Sequence, residues 1–321
     1  MIKTPLSTVI GGAFWTPNCT ILGGASRTLN QIIKSLFANN EQGFAYDPND
    51  LSTMWQDATG TVPVTGVGQA VGSMLDKSKG LVLGTNVISN SNFASLNGWA
   101  SGSFMQAVLV QGGVQISSPA STTGGNISLS VTNHFSWSPQ LSLGKRFKIT
   151  FDAKHVSGTG VLQVGSSFSV GLQINQNETG GVFKRYTTEV TGSFGGFATA
   201  AAFGATNGSV WVINNVVSQE VIGNHTYQTT SSMRPLLVAS PQRLDFDIAE
   251  DNLITTLPAQ LTGCTVIRSV PNVGTQILTG QTIPATYKDN QDHCGLIVIN
   301  RALTATETSQ ITKLFNKAAG V

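Results

Sequence analysis

Four histidines, His134, His155, His225 and His293, are the imidazoles available for acid–base work, and long polar stretches separate them. No serine or cysteine lies in a G-x-S-x-G turn, so the sequence gives no nucleophile and base in a familiar frame. Glycoside cleavage needs two carboxylates flanking a bond. The acidic cluster is Asp245, Asp247, Glu250 and Asp251 in LDFDIAEDN, and it reads first as a structural turn. Cys264 and Cys294 with His293 supply at most three metal ligands without a CxxC pair, so no metal and no cofactor are expected. Glycine pairs lack the Lys and helix of a phosphate loop. Sugar binding asks for less, namely an aromatic face and a few amide or hydroxyl partners. Trp137, in an expected loop between His134-Phe135 and Ser138-Pro139, is the first stacking candidate, with Tyr186 and Phe104 next, whereas Trp99 and Trp211 fall at expected core positions.

The 321 residues carry 18 Lys plus Arg against 16 Asp plus Glu, a formal charge of +2, and only 11% are charged, where about 25% is usual. A phosphate-binding surface needs clustered cations. The short basic groups Lys145-Arg146-Lys148 and Lys184-Arg185 read as solvated strand ends, so nucleic acid is not an expected partner. No apolar run approaches the 18 or more residues of a membrane span. Met1-Ile2-Lys3 leads into Thr4-Pro5 with no apolar signal core, and Cys19, Cys264 and Cys294 are too scattered for a disulfide framework. These features lead us to expect a soluble, unprocessed chain assembled in a reducing cytoplasm.

The elements that would position such residues fall into three segments. In residues 1–80, Leu29, Ile32, Ile33, Leu36 and Phe37 form one stripe of an amphipathic helix that Ser26 or Thr28 can cap. Turns and short apolar pieces follow from Tyr46-Asp47-Pro48. Residues 81–222 contain two long tracts without Asp, Glu, Lys or Arg, between Lys79 and Lys145 and between Glu189 and Glu220. Alternation places strands at 107–116, 127–131, 147–151, 161–164, 169–174 and 210–217. Glycine turns and no intervening helix then predict an antiparallel jelly-roll β-sandwich. Residues 223–321 continue as short strands and end in a helix, with a capping box from Thr304 to Glu307 and a stop at Gly320. The fold class is mainly β, a sandwich flanked by a helix-containing N-terminal anchoring segment and a C-terminal β segment with a terminal helix.

Within residues 39 to 84, the string AYDPNDLSTMWQDATGTVPVTGVGQAVGSMLDKSKGLVLG resembles a segment of tailed-bacteriophage virion proteins, written YDPSDLSTLFQDxxGTTPVTxxGQPVGxMLDKS. The C-terminal string LTGCTVIRSVPNVGTQILTGQTIPATYKDNQDHCGLIVINRALTATETSQIT resembles the ends of the same class, where it completes a laminin-G or lectin-like sandwich. Residues 86–222 resemble the galactose-binding-like jelly roll of carbohydrate-binding modules. Asn90-Ser91-Asn92-Phe93 with Gly98-Trp99, FKITFDAK at 147–154 and SVWVINNV at 209–216 carry that likeness. In that family, acidic residues near the entry and exit often hold a structural calcium. Here those positions are Asn92, Ala94, Asn214 and Asn215, whose neutral groups attract calcium far less.

The resemblances imply a non-enzymatic virion protein of a tail fibre, tail appendage or capsid decoration. It would be assembled with other virion proteins and copies of itself, trimers included, and would adhere weakly and multivalently to host-surface polysaccharide. The alternative is a tailspike-type depolymerase using Asp245, Asp247 or Glu250, with the jelly roll as its binding module.

Overall fold

The sequence Leu296-Ile-Val-Ile299 is apolar at every position rather than at alternate ones, the signature of a strand covered on both faces. In the computed structural model it is the third strand of a four-stranded antiparallel sheet in the order Gly274–Ile283, Leu261–Val270, Leu296–Ile299, Gly43–Tyr46. Leu296 and Val298 point, with Phe44 and Tyr46, into a core shared with Met54, Val71, Met74, Leu237 and Leu253. Ile297 and Ile299 point with Ala45 to the opposite face, against Ile33 and Leu36 of helix α1 (Leu29–Leu36) and Ile311 and Phe315 of helix α2 (Ala305–Ala319). The structure describes residues 8–10, 13–15, 27–60, 62–102, 105–118, 135–140, 145–166, 169–191, 199–247 and 249–321.

Facing the four-stranded sheet is a five-stranded one, in the order Thr286–Asp289, Leu253–Thr256, Thr226–Tyr227, Ser73–Met74, Met54–Trp55. Both sheets therefore combine strands from before residue 81 and after residue 222. Residues 1–80 and 223–321, two segments in sequence, are thus not separate in space: the described residues of both build one frame of helices on two stacked sheets. Alternation predicts which face of a strand is buried but not which distant strand lies beside it, and here Ala45 pairs with Ile297.

The central residues form the second unit, an antiparallel sandwich. One sheet runs Ser169–Ile174, Leu162–Ser166, Thr199–Ala205, Phe135–Gln140, Trp99–Ser101. The other runs Lys184–Thr191, Arg146–Ser157, Val210–Val221, Gly113–Ser117, Gln106–Val110, with Leu83–Asn86 pairing the far end of Val210–Val221. Along Arg146–Ser157, Phe147, Ile149, Phe151 and Ala153 are buried while Lys148, Thr150, Asp152 and Lys154 are not. The period of two thus sends alternate side chains into a core with Val114, Ile116, Phe203, Trp211 and Ile213.

The strand expected at 107–116 is a hairpin, Gln106–Val110 against Gly113–Ser117. Gly113 (φ +145) could carry no side chain, because a Cβ would stand 2.1 Å from the Ile213 carbonyl oxygen. The strand expected at 127–131 lies outside the described residues. Both helices begin as predicted: Thr28 caps α1 in a box with Gln31, and Thr304 caps α2 in a box with Glu307, while Gly320 ends α2 in the left-handed conformation (φ +84). Among the described residues no helix is long and apolar enough to cross a membrane.

Candidate functional site

The string at residues 45–84 folds back on itself. Its YDPND and DKS ends meet through Lys77, a buried lysine whose Nζ lies 2.9 Å from Asp47 Oδ2 and 2.8 Å from Asp50 Oδ2. A buried ammonium persists only where anions replace its water. Asp76 beside it is fully buried and accepts from the backbone N–H groups of Ala45, Ser78 and Asn224 and from the Ser78 hydroxyl, each at 2.8 Å. Burial raises its pKa to about 6 against the pull of those bonds. Tyr46 donates its hydroxyl to the Asn224 carbonyl at 2.5 Å. The string is thus a closed polar unit that fixes the chain as it enters the sandwich at residue 81 and leaves it at residue 222.

Trp55 of the string faces outward from this unit to the sandwich. Trp55 is half-buried at the end of the five-stranded sheet, and the guanidinium carbon of Arg146 lies 3.5 Å from its ring centroid. Arg146 begins the strand Arg146–Ser157, is 3% exposed, and donates from Nε to Glu189 Oε2 at 2.6 Å. Burial lowers its pKa, opposed by the charge and hydrogen bond of Glu189. The stack joins frame to sandwich and walls a cleft of about 670 Å³ with Ser52, Lys148, Thr187 and Glu189. An indole, a fixed guanidinium–carboxylate pair and hydroxyls along one wall are groups that receive a polar, ring-shaped ligand such as a saccharide.

Lys145-Arg146-Lys148 was expected to be a solvated strand end. Lys145 fits that description, with its side chain 44% exposed and Nζ 2.5 Å from Glu220, but Arg146 is buried. What separates them is the partner: a tryptophan some ninety residues earlier, which local pattern does not reveal. Arg185 is solvated as expected, 64% exposed and paired with Asp152.

The three sugar-stacking candidates are not assembled into a platform. Trp137 sits in the strand Phe135–Gln140 rather than a loop and is 7% exposed. Its ring packs edge-on to Trp99 at 5.4 Å, directly over Gly98, where a Cβ would be 2.4 Å away. The apolar environment that claims Trp137 is the sandwich core. Tyr186 pairs with Phe151 across the sheet, their rings stacked at 5.8 Å, and its half-buried side chain packs on the same core. Phe104 lies outside the described residues. Trp211 is fully buried and Trp99 packs against the core, as read from sequence.

The remaining candidates are engaged in local structure. Asp247 accepts from the backbone of Glu250 and Asp251, which lowers its pKa, and Asp245 pairs with Arg243 at 2.9 Å. His293 bonds Asp289 at 2.8 Å, and Asp289 also pairs with Arg268 at 2.9 Å, a buried link between the two frame sheets. Cys264 and Cys294 are buried free thiols, and Cys19 lies outside the described residues. Asn215, at one of the positions where the resembled modules hold calcium, donates its amide to Asp152 at 2.7 Å. Among the described residues no group of three His, Cys, Asp or Glu is placed to hold a metal ion.

No protein-family model matches the chain, and no curated protein is similar to it in sequence. Among solved structures it is similar to the Stig cyclase Fisc from Fischerella sp. TAU, at 11% identity and a TM-score of 0.24 over 43% of this chain and 98% of that one. An apo cyclase from Fischerella sp. gives 10% and 0.25 over 43% and 96%. The tandem CBM22-1–CBM22-2 domain of Paenibacillus barcinonensis Xyn10C gives 9% and 0.27 over 71% and 95%. At these scores the likenesses carry no functional conclusion.

Proposed function

We propose that the chain is a non-enzymatic structural protein of a tailed-phage particle, in a tail fibre, tail appendage or capsid decoration. In this reading the frame is the part held by the particle, and the sandwich with its junction cleft adheres to host-surface glycans. The observation that supports it most is the closure of the virion-like string through Lys77, Asp47 and Asp50. Lys77, Asp47 and Asp50 of that string spend their charges on one another, as a scaffold does, and Trp55 is left at the cleft. Weak saccharide contacts suffice in this role because repeated copies multiply them. Copies of itself and other virion proteins are its proposed partners, and the virion its proposed location.

Mass spectrometry and labelled-particle imaging of purified virions test the assignment. The chain is expected in intact particles at many copies; its absence from them, with recovery only from lysed-cell supernatant, would overturn the reading. Release of new reducing ends from host polysaccharide by the purified protein would replace adhesion with depolymerisation.

A further inference from the structure

A second concavity, away from the Trp55 cleft, is cationic. Helix α1 and the turn at residues 78–82 wall a groove of about 1020 Å³ lined by Arg27, Lys34, Phe37, Lys79, Val82 and, from the end of the sandwich, Ile222. Arg27 and Lys34 are exposed, and none of the three cations forms an ion pair among the described residues. Seven other cations, Lys77, Lys145, Arg146, Arg185, Arg243, Arg268 and Arg301, each hold a carboxylate and so add no such unpaired charge. Lys79 donates to the backbone carbonyl of Glu41 at 2.8 Å and sits 5.9 Å over the Phe37 ring, while the Glu41 carboxylate is committed to Arg301 at 3.1 Å. Like charges gathered along a concave, low-dielectric wall raise the positive potential there and draw in anions. Val82, 55% exposed, and the half-buried Ile222 add an apolar floor of the sort that packs the CH face of a sugar ring.

We propose that this groove binds an anionic polysaccharide segment, with carboxylate or phosphate groups taken by Arg27, Lys34 and Lys79 and the ring carbons laid over Val82 and Ile222. The site is separate from the Trp55 cleft, and its ligand class is set by charge rather than by stacking alone. Adhesion at this groove is steered electrostatically and weakens with added salt.

The test is binding of the full chain to immobilised polygalacturonate (carboxylate) and to a glycerol-phosphate polymer (phosphate), with dextran as the neutral polymer. Binding to at least one anionic polymer is expected, with little to dextran and steep loss on adding salt. Lys34→Glu should weaken it about threefold and Lys34→Glu with Lys79→Glu about tenfold, while Lys288→Glu, an exposed cation outside both concavities, leaves it unchanged. Lys34 makes no side-chain hydrogen bond or ion pair among the described residues, so its replacement reports on the groove even if the Lys79 variant folds poorly. Dextran bound as tightly, no binding to either anionic polymer, or full binding by Lys34→Glu overturns the proposal. A loss in Lys288→Glu equal to that in Lys34→Glu would show an effect of overall charge rather than of the groove and would likewise overturn it.

Discussion

The backbone N–H of Asp76 donates to Nδ1 of His225 at 3.0 Å, tying the segment that enters the sandwich to the one that leaves it. The other ring nitrogen, Nε2, faces the Val221 carbonyl at 2.8 Å. A nitrogen that accepts and one that faces an acceptor define a neutral imidazole with its proton on Nε2.

This pair makes opposed contributions to stability as pH falls. Burial lowers the His225 pKa to about 4 from 6.5, so the unfolded chain takes up a proton that the folded one refuses, and stability drains between pH 6.5 and 4 by roughly 3 kcal/mol. Burial raises Asp76 to about 6 from 3.8; the folded chain then binds its proton more tightly, and stability is gained as pH falls through 6 toward 3.8. The two nearly cancel between pH 4 and 6. In Asp76→Asn the gain disappears, so the melting temperature should drop steadily on acidification over that interval, on top of a loss of about 2 kcal/mol at neutral pH from disturbed acceptors. Parallel thermal melts of both proteins across pH 4 to 7 give the slopes, and equal slopes would refute the assignment.

Lys77→Met should be among the most damaging single changes in the frame. It strands Asp47 and Asp50, the former with a side chain 10% exposed, and unpairing a buried charge costs about 3–5 kcal/mol. Asp50→Asn, at the more exposed partner, should cost less because Asp47 still holds the ammonium. Urea midpoints of the two variants rank them; equal midpoints would mean that the string is not held by this pairing.

Local chemistry was legible where neighbours in sequence are neighbours in space. The helix boxes at Thr28 and Thr304, the Gly320 stop and the strand at Ser169–Ile174 were all readable within a few residues. The joining of Gly43–Tyr46 to Leu296–Ile299 was not, because apolar strands of similar pattern can satisfy one another in many pairings. The same limit hid the site. Arg146 looks like any strand-end cation until Trp55 is beside it, and Trp137, flanked by polar residues, reads as a loop until Gly98 and Trp99 enclose it.

Trp137→Ala should therefore act on stability rather than on ligand binding. Removing a core indole costs about 3–5 kcal/mol. Gly98→Ala should be nearly as harmful, because its φ of +85 strains any side chain and the new methyl would press on the Trp137 ring. Chemical denaturation measures both, and glycan binding by whatever fraction remains folded should be unchanged.

The Trp55–Arg146 stack predicts a different signature, because it spans the two units rather than lying within one. A cation over an indole, partly desolvated, contributes about 1–2 kcal/mol, and in Trp55→Ala that energy is taken from the junction while the cores of frame and sandwich stay intact. Calorimetry should show the melt of the parent separating into two transitions, or a widening of the gap between them, with little change in the stability of the frame core. Arg146→Ala removes the same stack and also leaves Glu189 without its 2.6 Å partner, so it should weaken the sandwich edge as well as the junction. If the cleft receives saccharide, both variants lose binding at this site by about tenfold, the loss expected for removing an aromatic platform or the cation that holds it. A single sharp transition in Trp55→Ala, unchanged from the parent, would show that the stack neither couples the units nor shapes the cleft.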